Sequence, residues 1–236
     1  MKLVAVHQPQ YLPWLGYFDK MDQSDVFCLL DTVQYKKNEY QNRNRIKTDK
    51  GWQWLTVPVT YRFPQRILEV EIHAGETWRR KHLEAIRTHY RKAPYYELHI
   101  GRLEAFFEQN RQKLVDVNEA CVRLLMELCG IECEVVLASQ LDVESDHPTG
   151  RLIEIVRLLG GDTYLAGKDG AKYMEIEWFR QKGVGLLFQD FAHPVYPQCY
   201  GAFEPCMSLL DLLFNCGPSS LSILRETRKK PSEATL

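Results

Sequence analysis

Leu3-Val4-Ala5-Val6-His7-Gln8-Pro9-Gln10-Tyr11-Leu12-Pro13-Trp14-Leu15-Gly16-Tyr17-Phe18, followed by Val26-Phe27-Cys28-Leu29-Leu30-Asp31, decides the fold class. Each apolar run is short and free of turn signals, the pattern of a buried strand. The stretch from Trp14 to Gln23 is helix-like, and Pro13 suits a helix start. Strand, crossover helix, strand is a parallel unit with His7 and Asp31 at carboxyl ends. Open α/β sheets bind ligands outside those ends. Gln8, Gln10, Tyr11, Trp14 and Gln34 fall in the same neighbourhood, a dense polar and aromatic cluster for one strand end. Taken singly, Tyr11, Trp14, Tyr17 and Phe18 also read as core aromatics.

Working outward, Trp52-Gln53-Trp54-Leu55-Thr56-Val57-Pro58-Val59 alternates in a β-rich way, and Ile67 to Ile72 is a second alternating run. The two are expected to pair as antiparallel neighbours around Arg62-Phe63-Pro64-Gln65. Residues 77–130 hold no strand signal and read as a helical insertion, with helices at Trp78–Lys92, Leu103–Val115 and Val117–Cys129. The remainder alternates: strand Glu132–Leu137, helix Thr149–Leu159, strand Thr163–Ala166, helix Lys172–Lys182, strand Gly185–Phe188. Strands alternating with helices of this length argue for βαβ units. The expectation is one α/β domain over residues 1–236, a Rossmann-like parallel sheet of about five strands with a small β-rich segment. Met207 to Phe214 forms a last apolar helix, and about 225–236 reads as a flexible polar tail.

The 236 residues are 45% hydrophobic and 26% charged with a net charge of −1, ordinary globular values that offer nucleic acid no general attraction. Four apolar residues after Lys2 are too few for a secretory h-region, and no run approaches the ~18 needed to cross a bilayer. The expected location is the cytoplasm. Seven cysteines without a C-x-x-C pair fit buried thiols in a reducing compartment. The histidines have no paired-ligand spacing, so no metal site is expected.

Four segments carry candidate chemistry. Asn42-Arg43-Asn44-Arg45 places two guanidinium forks on one face of an extended segment and two amides on the other. That set suits the phosphate and hydroxyls of a sugar nucleotide; the plainer alternative is a solvated basic loop. Lys168-Asp169-Gly170-Ala171-Lys172 follows a strand and precedes a helix, where backbone N–H groups commonly meet anions. The helix from Trp78 to Lys92 is rich in Arg and Lys, a solvated basic face or a surface for an anionic carrier such as a lipid-linked sugar. Asp190 to Gln198 presents His193 and Tyr196 from a loop stiffened by two prolines. His7 and His193 are the candidate general bases, with Asp31 or Gln34 to hold one ring nitrogen of His7.

HQPQYLPWLGYFDK (7–20), DVFCLLDTVQYKKNEYQNRNRIK (25–47) and GWQWLTVPV (51–59) resemble the WbqC-like family of bacterial proteins. So do WRRKHLEAIRTHYRKAPYY (78–96), GGDTYLAGKDGAKY (160–173) and DFAHPVYPQCYGAFEPCMSLLDLLFNCGP (190–218). The resemblance implies a role in surface-polysaccharide (O-antigen) assembly and transfer of glycine to a sugar. The partners it implies are small molecules: a nucleotide or lipid-linked sugar and an amino-acid donor. A second analogy, by position, is to nucleotidylyltransferases with a His-x-Gly-His motif. Trp14-Leu15-Gly16-Tyr17 occupies that slot with both histidines replaced by aromatics. ATP-dependent carboxylate activation and a non-catalytic nucleotide-sugar-binding subunit therefore stand as alternatives, with ATP or a nucleotide sugar as the cofactor candidates.

Overall fold

A computed structural model describes residues 1–74 and 77–233. The elements in order are β1 (Leu3–His7), α1 (Leu15–Asp22), β2 (Val26–Leu29), β3 (Arg43–Thr48), β4 (Gly51–Thr56), β5 (Val59–Thr60) and β6 (Glu71–Ile72). After these come α2 (Trp78–Tyr90), α3 (Tyr96–Glu108), α4 (Leu114–Cys129), β7 (Glu134–Leu137), α5 (Pro148–Leu158), β8 (Thr163–Ala166), α6 (Ile176–Gln181) and β9 (Gly185–Phe188). The chain ends in α7 (Leu209–Cys216), α8 (Ser220–Glu226) and β10 (Ser232–Glu233). A six-stranded sheet runs β10-β9-β8-β1-β2-β7, parallel throughout except for β10, which pairs antiparallel with β9. Five parallel strands are thus present, as the sequence implies.

Alternation along β1 explains the two layers. Leu3 and Ala5 join Phe27, Leu29 and Leu165 in the cluster packed by α1, α3, α4 and α7. Val4 and Val6 join Val26, Cys28, Tyr164 and Ala166 in a second cluster with α5 and α6. Side chains of a strand point alternately to the two sides, so the two clusters lie on opposite faces of the sheet. The winding reverses at β1: the chain runs β1, β2, β7 to one side and then β8, β9 to the other.

Several boundaries differ from the sequence reading. The second helix of the insertion spans Tyr96–Glu108, not 103–115, and Leu114 and Val115 open α4 instead. Gln109 leaves α3 in an extended conformation, so the apolar pattern across 103–115 belongs to two helices. Gly130 closes α4 in the left-handed region (φ 76°), its N–H on the Glu127 carbonyl. The main hairpin is β3–β4, paired from Arg43↔Thr56 to Thr48↔Gly51. Only Val59–Thr60 and Glu71–Ile72 pair as expected around the Arg62–Gln65 turn, and Ile67–Glu69 is a 3-10 turn. Lys172–Lys182 is not one helix: Gly170–Lys172 is a 3-10 turn and α6 starts at Ile176.

The segment read as a flexible tail makes specific contacts as far as Glu233. Arg225 and Arg228 reach Asp22, and Arg228 also pairs with Asp19 at 2.8 Å. Both carboxylates are almost wholly withdrawn from solvent. Gln189 adds a 2.6 Å bond to Asp19 and another to the Gly16 carbonyl, tying the start of α1 to the end of β9.

Candidate functional site

The loop leaving β1 is clasped from four sides. Gln41 donates to the side chain of Gln8 at 2.7 Å, and Asn118 of α4 donates to the Pro9 and Gln41 carbonyls. The Tyr11 hydroxyl meets Nδ1 of His82 at 2.8 Å. Leu12 sits at φ 45°, a costly conformation for a leucine. Its N–H points to Sγ of Cys121, and its carbonyl accepts from Asn44. The Pro13 carbonyl accepts the N–H of Leu209. Tyr11 and Asn44, expected on substrate, are therefore bonded within the fold: Asn44 satisfies the buried Leu12 carbonyl, and the buried Tyr11 hydroxyl takes the His82 side chain as its partner.

His7 keeps one nitrogen open. Its Nδ1 lies 3.2 Å from the Gln8 carbonyl, which sets the proton there, and Nε2 has no hydrogen-bond partner among the described residues. The ring is half-buried with Tyr17 edge-on at 4.8 Å. Burial, aided by the charge of Lys20, holds the imidazole down to about 3, despite the opposing pull of the Gln8 carbonyl. Lys20 is itself buried, its Nζ 2.9 Å from the Val6 carbonyl, and burial pushes its ammonium down to about 7. Nothing in the sequence pattern of α1 signals this lysine, which occupies a core position.

Asp31 does not hold His7. His7 is level with Leu29, so Asp31 lies past the strand and accepts the N–H of Ser139 at 2.9 Å. Gln34 does not support it either: it is exposed and bridges to Arg66 through its backbone. Gln10 is buried, and its Oε1 has no hydrogen-bond partner among the described residues. Trp14 lies over the start of α1, where a Cβ at Gly16 would fall 2.3 Å from the indole. Trp14 stacks on His193 at 6.5 Å and meets Phe191 edge-on.

His193 has no free nitrogen. Nδ1 donates to the Pro194 carbonyl at 2.8 Å and Nε2 accepts the N–H of Cys206 at 3.1 Å. Tyr196 is buried and donates to Asp211 at 2.9 Å. Asp211, fully enclosed, also accepts from Tyr90 and Gln198. Burial raises its carboxyl, the hydrogen bonds and nearby Lys47 opposing. Lys47 bonds Gln198 and the Ala202 carbonyl, so this network fastens the loop between β9 and α7 to β3.

On β3 and β4 the expected guanidinium face exists, with an aromatic partner. The Arg43 guanidinium lies 4.3 Å from the Trp54 ring, and that of Arg45 lies 5.0 Å from Trp52 and 5.9 Å from Trp54. Tyr40 approaches Trp54 at 5.9 Å, and Tyr40 and Trp52 are exposed. Arg45 also donates to the Cys206 carbonyl at 3.3 Å, and Arg43 to that of Asn38. The period-two spacing of Arg43, Arg45 and Lys47, followed by that of Trp52 and Trp54, is a usable signal for this ladder; Trp54 pairs with Arg45 and Trp52 with Lys47. Beside it, Tyr35, Lys37, Asn38, Asn42, Arg43 and Tyr61 help line a cavity of about 250 Å³.

Lys168 is exposed and lines a separate cavity of about 520 Å³ with Gln189, Asp190 and Lys229. Lys172 is paired with Asp169 at 2.5 Å. Neither the Arg43 cavity nor the Lys168 cavity is lined by His7 or His193.

The WbqC-like protein family model matches residues 8–223, a span that contains the clasped loop, the cation–aromatic hairpin and the Asp211 network. The chain belongs to the WbqC-like family. An uncharacterized protein of Mycobacterium tuberculosis, Rv1507c, is 34% identical over 234 residues, covering 97% of this chain and all of that protein. No solved structure matches the chain. No helix among the described residues is long and apolar enough to cross a membrane.

Proposed function

We propose that this WbqC-like protein binds an anionic glycoside, a nucleotide sugar or sugar phosphate, and serves surface-polysaccharide (O-antigen) assembly in the cytoplasm. The reaction is transfer of glycine or another small amino acid to a sugar amino or hydroxyl group. The observation that carries the reading is the β3–β4 face, where Arg43 and Arg45 lie against Trp52 and Trp54 with Tyr40 alongside. Indole and phenol rings offer a flat apolar surface to the C–H face of a sugar or to a base, and adjacent guanidinium forks suit its phosphate. In such a transfer the acceptor attacks the carbonyl of a glycyl ester or glycyl phosphate, His7 Nε2 takes the acceptor's proton, and the bond to the donor oxygen breaks, releasing the donor's alcohol or phosphate. The Gln8 carbonyl fixes the tautomer that leaves this nitrogen available. Among the parallel strands the sheet order, numbered along the chain, is 5-4-1-2-3, which supports a Rossmann-like architecture with its reversal at the first strand.

A second reading, a nucleotide-sugar-binding subunit without catalysis, is favoured by the state of the histidines. His193 has both nitrogens engaged, and an imidazole held near 3 is a weak base at neutral pH. ATP-dependent carboxylate activation has less support. The Trp14 indole covers Gly16, where the analogy would bring phosphates, and Lys172 is neutralised by Asp169.

Calorimetric titration with a panel of nucleotide sugars and ATP tests the proposal. A nucleotide sugar should bind, and Arg45→Ala or Trp52→Ala should weaken it. Glycine transfer that is abolished in His7→Gln, with binding kept, establishes the enzyme reading; binding without transfer establishes the subunit. Failure of every nucleotide sugar to bind, or pyrophosphate or ADP release from ATP with glycine present, overturns both.

A further inference from the structure

The connection between β5 and β6 carries an aromatic tip that the neighbouring loop holds in place. Phe63 is 81% exposed, and Pro64 beside it is exposed too. The turn under it is closed: the Gln65 N–H donates to the Arg62 carbonyl at 2.7 Å, and the Arg62 N–H to the Gln65 side chain at 2.6 Å. Two further bonds, both 2.9 Å, fasten it to the segment after β2: Ile67 N–H to the Val33 carbonyl and Tyr35 N–H to the Gln65 carbonyl. Lys36 and Lys37 follow that pairing directly, as Phe63 and Pro64 precede it. The surroundings are positive. Segments 34–40 and 61–66 hold Lys36, Lys37, Arg62 and Arg66 against one acid, Glu39. Arg66 is paired with Glu69 at 2.7 Å, whereas Lys36, Lys37 and Arg62, all exposed, have no ion pair among the described residues. Lys37, Tyr61 and Arg43 border one cavity, so the lysine loop and the base of the tip adjoin the cation–aromatic hairpin.

We infer that this tip docks the protein on an anionic phospholipid surface, with Phe63 entering the boundary between headgroups and acyl chains and Lys36, Lys37 and Arg62 meeting lipid phosphates. An exposed phenyl ring gains nothing from a soluble anion, and exposed cations gain nothing from an apolar pocket. A negatively charged lipid surface satisfies both at once. One ring and three charges give reversible attachment, not permanent anchoring. Tyr40 and Trp52, the exposed aromatics of the neighbouring hairpin face, are the amphipathic rings that suit a membrane–water interface. Attachment of this kind does not depend on the β3–β4 face taking a sugar; it brings that face close to the membrane.

Co-sedimentation of the full chain with lipid vesicles tests this. Phosphatidylcholine vesicles carrying about one-third phosphatidylglycerol should bind it at about 0.1 M salt, and pure phosphatidylcholine should bind it at least about tenfold more weakly. Raising the salt to about 1 M shortens the screening length from about 10 Å to about 3 Å and should release most of the protein. Lys36→Gln/Lys37→Gln should weaken binding about 25-fold, about fivefold for each charge. Phe63→Ala should weaken it by about fivefold or more. All three positions are exposed, so melting temperatures should match the wild type; should Phe63→Ala fold poorly, the lysine pair carries the test. Arg91→Gln/Lys92→Gln, which removes two exposed cations from the turn between α2 and α3, must bind as the wild type does. No binding to the anionic vesicles, equal binding to both lipids, binding unchanged in the Phe63 and lysine variants, or an equal loss in Arg91→Gln/Lys92→Gln overturns the inference. So does a concentration-dependent dimer that Phe63→Ala breaks, without vesicle binding, since the tip then meets a second copy of the chain.

Discussion

Replacing Arg228 by alanine should cost more stability than any surface arginine has a right to. Arg228 sits 2.8 Å from Asp19 and 2.6 Å from Asp22, and those side chains are 0% and 2% exposed. Removing one member of a buried pair leaves an uncompensated charge, at about 3–5 kcal/mol. Two features push the value to the low end. Arg228 is itself 21% exposed, and Asp19 and Asp22 retain Gln189, Gln23 and Arg225. About 3 kcal/mol is therefore expected, or roughly 6–12 °C in Tm for a chain of this size. Urea unfolding of Arg228→Ala at pH 7 measures it, with Asp19→Asn/Arg228→Ala as the companion. The pair should be less destabilised than the sum of its single variants, because a neutral amide leaves no charge unpaired. A loss under 1 kcal/mol, or strict additivity, would show that the strap from 225 to 233 merely rests on α1.

Three further outcomes follow from other parts of the molecule. His7 and His82 are held by burial at about 3 and about 4, His7 also by Lys20, against an ordinary 6.5. The unfolded chain therefore binds protons the folded one refuses, so stability falls as pH drops from about 6.5 towards 4; His7→Gln should flatten that decline in the urea midpoint. Gly16→Ala drives a methyl into the Trp14 indole and should cost about 1–3 kcal/mol, largely recovered in Trp14→Leu/Gly16→Ala; thermal melts compare the two. Tyr196→Phe removes one donor from enclosed Asp211 and should lose about 1.5–3 kcal/mol in denaturant titration, with a parallel loss for Tyr90→Phe.

What could be read from the chain follows the physics of each segment. β1, β2 and β8 are buried apolar runs, and their bounds are legible to within a residue or two because burial dictates them; β9, only half-buried, is legible from its apolar run after Gly183. Arg43-Asn44-Arg45-Ile46-Lys47-Thr48 hides its strand, since one face is built from Asn44, Ile46 and Thr48 and the other from three cations, of which Lys47 is itself buried. Those cations are stabilised by Trp52, Trp54 and Gln198, partners that no local pattern names. The same reason conceals the fate of the histidines. His193 looks available in sequence, but its Nε2 is claimed by the backbone of Cys206, thirteen residues on. Lys20 was invisible because a lysine on an amphipathic helix normally faces water, whereas here Val6 offers a carbonyl to keep it inside.

The clasp around residues 8–13 also fixes when the molecule can become complete. β1 is made before the strands it pairs with, and one neighbour, β8, begins only at Thr163. Leu12, in its left-handed conformation, waits for Asn44 and Cys121, and the Pro13 carbonyl waits for Leu209. Contacts so distant along the chain form slowly, because the loops between them must close first. β1 thus keeps an open edge and an unfinished exit loop until those distant partners are made, the kind of surface that chaperones engage. Arrival of Leu209, not of any strand of the parallel core, is the event that allows the loop of residues 8–13 to set.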